Sequence, residues 1–152
     1  MANSLTSDGV ISTGTPAFCI KMHTGQNTPA HGETLAWNNS GERFDQGSDF
    51  ASYTFTAPVT GKYVFLVYFR VNTADHDNNY IYFNINTSNN SYEMDLAGTS
   101  HWDGDGQYVP KHGMVLADMD ASDTCFVLFH FSGGATCSSL SSDSWFSGYL
   151  AC

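Results

Sequence analysis

Hydrophobic and polar residues alternate along several short segments, with the period of two that is typical of half-buried β-strands. In residues 16–23, Phe18, Ile20 and Met22 alternate with Cys19 and Lys21. Residues 62–71 are almost entirely apolar, β-branched or aromatic, which predicts a central strand buried on both faces. Further strands are predicted at 53–57, 80–86, 92–96, 113–117, 125–131 and 145–150, with a short apolar piece at 34–37.

Turn residues separate these segments, and no segment has a helical period. Residues 97–110 are rich in Gly and Asp and predict a long loop. Residues 1–15 are rich in Ser, Thr and Gly without periodicity, which predicts a flexible N-terminal arm. The pattern therefore predicts one all-β domain at 16–152, with the antiparallel strands of a sandwich or barrel.

The charge of the chain limits its partners. Its 152 residues include 15 acids and 5 bases, for a formal net charge of −10. Such a chain repels phosphate backbones and anionic membranes, so neither nucleic acid nor membrane is an expected partner. The N-terminus has neither a basic start nor an apolar core, so we expect no signal peptide. The protein would then stay in the cell or leave by lysis or assembly.

Four sequence pieces occur in a familiar order: Phe44-Asp45, the segment 55–65 (FTAPVTGKYVF), Asp123 before an apolar strand, and the terminal FSGYL at 146–150. Together they resemble the globular head of the complement component 1q family, which is related to the tumour-necrosis-factor-like trimers. The chain is identified with this family over residues 16–151. The motif residues are Phe44, Phe55, Pro58, Gly61, Tyr63, Phe65, Phe146, Gly148 and Tyr149.

The resemblance implies a two-sheet jelly roll of about ten antiparallel strands that packs as a threefold homotrimer. It also implies that Tyr63, Phe65, Phe146 and Tyr149 lie in the core or an interface. Gly61 is expected to supply a backbone geometry that other residues resist, and Pro58 to end a strand. Family members bind proteins or glycans through loops and are not enzymes. Ser122 replaces the usual Gly before the Asp.

No catalytic motif, and hence no catalytic residue or cofactor, is predicted. Asp103 and Asp105 alternate within a Gly-rich stretch, which suits calcium, although a plain turn is the alternative. His76, between two aspartates, could bind a divalent ion or lie in a solvated turn. Trp102 and Tyr108 are candidate ligand-loop residues that could stack on sugars. The four cysteines are interpreted as small buried residues or, for Cys137 and Cys152, as disulfide partners: Cys19, Cys125, Cys137 and Cys152.

Three functions fit these observations. The first is a virion structural protein of phage or viral origin, a trimeric capsid decoration or cement protein that binds the shell partly through its N-terminal arm. The second is the receptor- or glycan-binding tip of a phage tail fibre. The third is a secreted, extracellular complement-like module that binds a protein or glycan receptor.

Overall fold

A computed structural model of the protein describes residues 14–99, 103–132 and 137–152. These residues form two antiparallel β-sheets, which confirms the predicted all-β, two-sheet fold. The only regular helix in these ranges is a single 3-10 turn at Asn39–Gly41. No helix within the described residues is long and apolar enough to span a membrane. The strands are β1 (Ala17–Lys21), β2 (Gln26–Asn27), β3 (Glu33–Thr34), β4 (Glu42–Gln46), β5 (Phe50–Ala51), β6 (Thr54–Thr56), β7 (Gly61–Ala74), β8 (Tyr80–Thr87), β9 (Ser91–Gly98), β10 (Gly106–Met119), β11 (Thr124–Ser132), β12 (Ser139–Leu140) and β13 (Trp145–Leu150).

Strand β7 is the centre of the first sheet. It pairs with β10 along one edge, and with β13 and then the short β12 along the other. The sheet continues from β13 through β1 to β4, while β2 extends it beyond β12. The second sheet has the order β5-β6-β11-β8-β9, and β3 shares with β6 one edge of β11. Sequence-distant strands are thus neighbours, as in a jelly roll.

Aromatic side chains from both sheets fill the space between them. Phe18 of β1 lies 4.9 Å from Phe55 of β6 and 5.0 Å from Phe146 of β13, measured between ring centroids. Phe65 of β7 lies 5.7 Å from Phe55. All four rings are buried. Burying one such side chain contributes about 1.5–3 kcal/mol, so this cluster is a main source of stability.

The structure corrects several sequence expectations. The predicted loop 97–110 is wrong at its C-terminal end, because β10 begins at Gly106 and pairs there with the end of β7. Tyr53 does not alternate with Phe55 in one strand; it lies in the turn between β5 and β6, exposed and with a φ of 68°. Strand β4 was not predicted, because its residues are mostly polar and exposed.

Gly61 is required for a different reason from the one expected. Its φ is not positive, but a Cβ atom there would lie 2.6 Å from Cδ1 of Leu150 and 2.7 Å from the carbonyl oxygen of Cys152. The C-terminus packs beside the start of β7, where the amide of Lys62 donates to Cys152 O over 2.7 Å. Space, and not backbone freedom, therefore selects glycine at this position.

The opposite end of β7 leads into the loops of interest. Residues 75–79 follow β7, and residues 103–105 precede β10, its antiparallel neighbour. We call this end of the sandwich, formed by 75–79 and 103–105, the loop end.

Candidate functional site

An apolar face covers the outer side of the first sheet, away from the core. Strand side chains alternate between faces, so the β7 residues that do not enter the core point outward. Val64 lies between Leu116 of β10 and Tyr149 of β13 in the strand register. Leu116 and Tyr149 are both exposed, and Leu116 is 57% exposed. Three neighbouring strands therefore present one continuous apolar row.

A second row lies beside the first. Leu66 of β7 is flanked by Met114, which is 65% exposed, and by Ser147. Ser147 is paired with Cys19, and Cys19 with the exposed Phe44 of β4. Monomeric proteins rarely expose large contiguous apolar surfaces, so such a surface indicates an interaction site. We define the apolar face by its six members: Phe44, Val64, Leu66, Met114, Leu116 and Tyr149.

Most of the remaining motif residues lie in the core. Phe55, Tyr63, Phe65 and Phe146 are buried. The hydroxyl of Tyr63 donates to the carbonyl oxygen of Val59 over 2.8 Å, and burial raises the pKa of Tyr63. Gly148 is buried against aromatic rings of the core, and Pro58, which is exposed, follows β6 after one intervening residue.

At the loop end, His76 contacts Asp105 across the two loops. The Nδ1 atom of His76 lies 3.0 Å from Oδ1 of Asp105, and the backbone amide of His76 donates to the same oxygen over 3.2 Å. The hydrogen bond with Asp105, followed by the charge of Asp77, raises the pKa of His76. The same hydrogen bonds lower the pKa of Asp105. This pair fixes the loop that follows β7 to the residue that precedes β10.

Asp75 completes a group of three candidate metal ligands. One ligand atom from each of Asp75, His76 and Asp105 lies within 4.8 Å of the others. Calcium takes oxygen ligands, so the imidazole does not suit it, and Asp105 already accepts two hydrogen bonds from His76. Asp103, the other predicted calcium ligand, is exposed and is not a member of this group. Calcium binding at Asp103 and Asp105 stays a prediction.

Tyr108 was expected in a loop but lies within β10. The strand register skips it between Gln107 and Val109, and it adopts a φ of 56°. Its ring is 61% exposed and lies against Arg70 of β7, with 5.1 Å between Cζ of Arg70 and the ring centroid. Trp102, the other predicted ligand-loop residue, lies outside the described residues.

Sequence reasoning missed two basic residues that the fold places in unusual surroundings. Arg70 lies in β7 and Lys111 in β10. Their positions in the sequence pattern do not show which residues they contact. Lys111 is buried, and its Nζ donates to the carbonyl oxygen of Asp95 over 2.8 Å. The alternation of β10 does not identify Lys111 as inward-pointing, because the large apolar residues Met114 and Leu116 lie on the opposite, exposed face of the strand.

Comparison with known proteins is consistent with this architecture. The model of the C1q domain family matches residues 17–151. The globular domain of zebrafish complement 1qA protein superposes with a TM-score of 0.66 at 15% identity, covering 91% of this chain and 98% of that one. Murine APRIL gives a TM-score of 0.60 at 9% identity, covering 89% and 98%. No curated protein sequence matches the chain.

The chain therefore belongs to the C1q domain family and has its TNF-like jelly-roll fold. Domains of this class are generally non-enzymatic binding modules, form homotrimers and bind receptors. Proteins that carry them are typically extracellular.

Proposed function

We propose that this protein is a non-enzymatic recognition module whose three copies associate through the apolar face. The observation that carries this proposal is the row of exposed apolar side chains on three adjacent strands, centred on Val64 and Leu66. Homotrimers are the rule in the family, and a closed symmetric assembly would cover the face of every copy.

The charge distribution supports self-association at this face. Each chain carries a net charge of −10, which opposes association, so a contact surface without charges is the one that adds least to this repulsion. The six residues of the apolar face carry no charge. At its border, Nζ of Lys62 lies 2.7 Å from Oδ1 of Asp118, so the nearest charges there are paired. Covering one large apolar side chain contributes about 1.5–3 kcal/mol, which favours association over repulsion between the remaining acids.

Two leucines of equal exposure test the proposal. Leu116 on the apolar face is 57% exposed, and Leu96 on β9, at the edge of the other sheet, is 59% exposed. We expect Leu116→Asp to convert the trimer to a monomer, because it would place three carboxylates in the interface. Leu96→Asp should leave the trimer intact. The solution mass of both variants, with circular dichroism to verify folding, gives the result; equal masses would contradict the proposal.

The biological setting of the module is proposed in two forms. As a virion decoration protein it would bind a capsid partly through residues 1–15, whereas as an extracellular module it would bind a receptor through its loops. The tail-fibre tip is a variant of the second form, with a receptor on the host cell. Deletion of residues 1–15 distinguishes them: loss of particle binding supports the virion form, and unchanged receptor binding supports the extracellular one.

A further inference from the structure

Arg70 is a partly buried cation without a carboxylate partner. Each of the three lysines has a carboxylate oxygen within 4.0 Å, but no such pair is formed by Arg70 or by the exposed Arg43 within the described residues. In a chain with 15 acids and 5 bases, this is unexpected for a guanidinium that has lost part of its hydration. A binding site for an external anion would account for it.

The contacts of Arg70 hold its side chain in place and leave donor capacity free. Nη2 donates to Oγ of Ser141 over 3.0 Å, while Nε is buried without a hydrogen-bond partner. The ring of Tyr108 lies 5.1 Å from Cζ. Stacking on an aromatic ring and a fixed hydrogen bond prepare the planar guanidinium for a planar, bidentate acceptor, and a carboxylate has that shape.

The backbone of Tyr108 is consistent with a binding role. Its φ of 56° is uncommon for a bulky residue, and Tyr108 has no pairing partner on β7, although the register of the two strands is the same before and after it. Such strained residues occur disproportionately at ligand sites, where the surrounding structure maintains them. The result here is a tyrosine ring that is 61% exposed yet held beside a cation.

A neutral hydrogen-bond acceptor lies on the same strand. Asn72, two residues after Arg70 and on the same side of β7, donates through Nδ2 to Oγ of Ser139 over 2.8 Å. Its Oδ1 atom is buried and has no partner. Because this oxygen is buried, a ligand at the surface does not reach it, and Asn72 takes no part in ligand contact. Tyr68 precedes Arg70 on the same side of β7. Its ring is stacked on that of Trp145, with 6.2 Å between the ring centroids.

We propose that Arg70 and Tyr108 form a binding site for a carboxylate-bearing sugar, such as a uronic acid. The terminal nitrogens of the guanidinium bind the carboxylate, and the Tyr108 ring packs against the C–H face of the sugar. The site lies toward the loop end of the first sheet, beyond the apolar face. The inference rests on the proposed recognition function and names its ligand class.

Saturation-transfer and chemical-shift NMR titrations of the full chain test the proposal, with methyl glucuronide as the probe. We expect the neutral methyl glucoside, and acetate alone, to bind at least about tenfold more weakly, because each lacks one half of the recognised chemistry. A sulfated glucoside tests whether any anionic sugar suffices. Equal binding of glucuronide and glucoside, of glucuronide and acetate, or of glucuronide and the sulfated sugar would overturn the assignment to a carboxylate-bearing sugar.

Matched variants locate the site. Arg70→Gln and Tyr108→Ala should each weaken glucuronide binding by about tenfold or more, whereas Arg43→Gln, at the other arginine without a carboxylate partner, should change it less than about twofold. Unchanged binding by Arg70→Gln, or no binding by the parent chain, would overturn the proposal. The solution mass of the same samples separates the two claims: a trimer that does not bind glucuronide refutes only this site, and a monomer that binds it refutes only the trimer.

Discussion

A Cβ atom added to Gly148 would lie 2.7 Å from Cδ1 of Phe65, so the aromatic core leaves no room for a side chain at this position of β13. It would also lie 2.8 Å from Cε1 of Phe18. Both rings are buried, and packed interiors adjust only slightly to an inserted carbon. The glycine of the terminal motif is thus explained by the packing of the two sheets.

We predict that Gly148→Ala destabilises the protein by about 1–3 kcal/mol, the usual cost of overpacking a core. Gly104 is the matched control, because no atom lies within 4 Å of a Cβ placed there and its φ is not positive. Gly104→Ala should change the free energy of unfolding by less than about 0.5 kcal/mol. Urea unfolding measures both variants, and equal effects would refute the packing explanation.

His130 should contribute a loss of stability in mild acid. Its ring is stacked on Tyr82 at 4.6 Å and meets His31 edge-on at 5.2 Å, and neither of its buried nitrogens has a partner. Burial, followed by the charge of His31, lowers the pKa of His130, and the charge of Glu93 partly opposes the shift. The unfolded chain therefore binds more protons than the folded one as the pH falls below about 6.5. The stabilisation is present above that pH and is lost below it.

His130→Phe tests this explanation, since it removes the titrating group and keeps a ring against Tyr82. The variant should lose less stability than the parent chain between about pH 7.5 and about pH 5 in urea unfolding. His23→Gln, at an exposed position, serves as the control and should behave as the parent chain does. An unchanged pH dependence in His130→Phe would show that other groups cause the acid effect.

The buried Lys111 is expected to cost stability. Burial lowers its pKa, and the charge of Asp95, whose Oδ1 lies 3.7 Å from Nζ, only partly compensates. The Asp95 side chain itself is in contact with water, so it would stay hydrated without the lysine. Lys111→Met should therefore be neutral or stabilising by at most about 1 kcal/mol, less than when both members of a buried ion pair are replaced by apolar residues, because Asp95 keeps its charge.

Lys62→Met provides the control for Lys111→Met. Its ion pair with Asp118 is exposed, so the substitution should leave the free energy of unfolding nearly unchanged. Marked destabilisation by Lys111→Met in thermal or urea unfolding would mean that the buried pair is a net contributor to stability.

The cysteines should differ in reactivity in the folded protein. All four are free; Cys152 is exposed, whereas Cys125 and Cys137 are buried. Burial raises the pKa of Cys137 to about 12 and that of Cys125 well above its usual value, so neither forms the reactive thiolate. A thiol reagent at about pH 8 should label Cys152 at once, and these two only after unfolding. Cys152→Ser should remove the fast phase; rapid labelling of Cys137 would contradict its burial.

The sequence predicted the fold well because its period-two pattern and terminal motif report on burial. Phe18 and Phe146, for example, occupy inward positions that their own neighbours in sequence reveal. The exposed strand β4 lacks that pattern. The sequence predicts β10 too short, because the Gly and Asp residues near its N-terminal end indicate a loop. Strand pairing, and not local propensity, extends β10 to Gly106.

The candidate sites were less predictable, because they depend on residues far apart in sequence. His76 and Asp105 were each identified as candidate ligands, but their contact arises only when β7 and β10 pair. Tyr108 was identified from its type, whereas its partner Arg70 is 38 positions earlier within an apolar strand, where a single cation gives no signal. Local sequence patterns indicate which residues are buried, whereas only the sheet register shows which residues are neighbours in space.

The central claim is that this C1q domain assembles as a trimer through its apolar face. The most direct test is the solution mass of the purified chain by light scattering over a dilution series, with and without a chelator. We predict a mass of three chains, since one chain is 16.6 kDa, and no change on dilution through the micromolar range or on chelation. A monomer mass at all concentrations would contradict the claim, and dissociation by the chelator would instead assign the assembly to a bound cation.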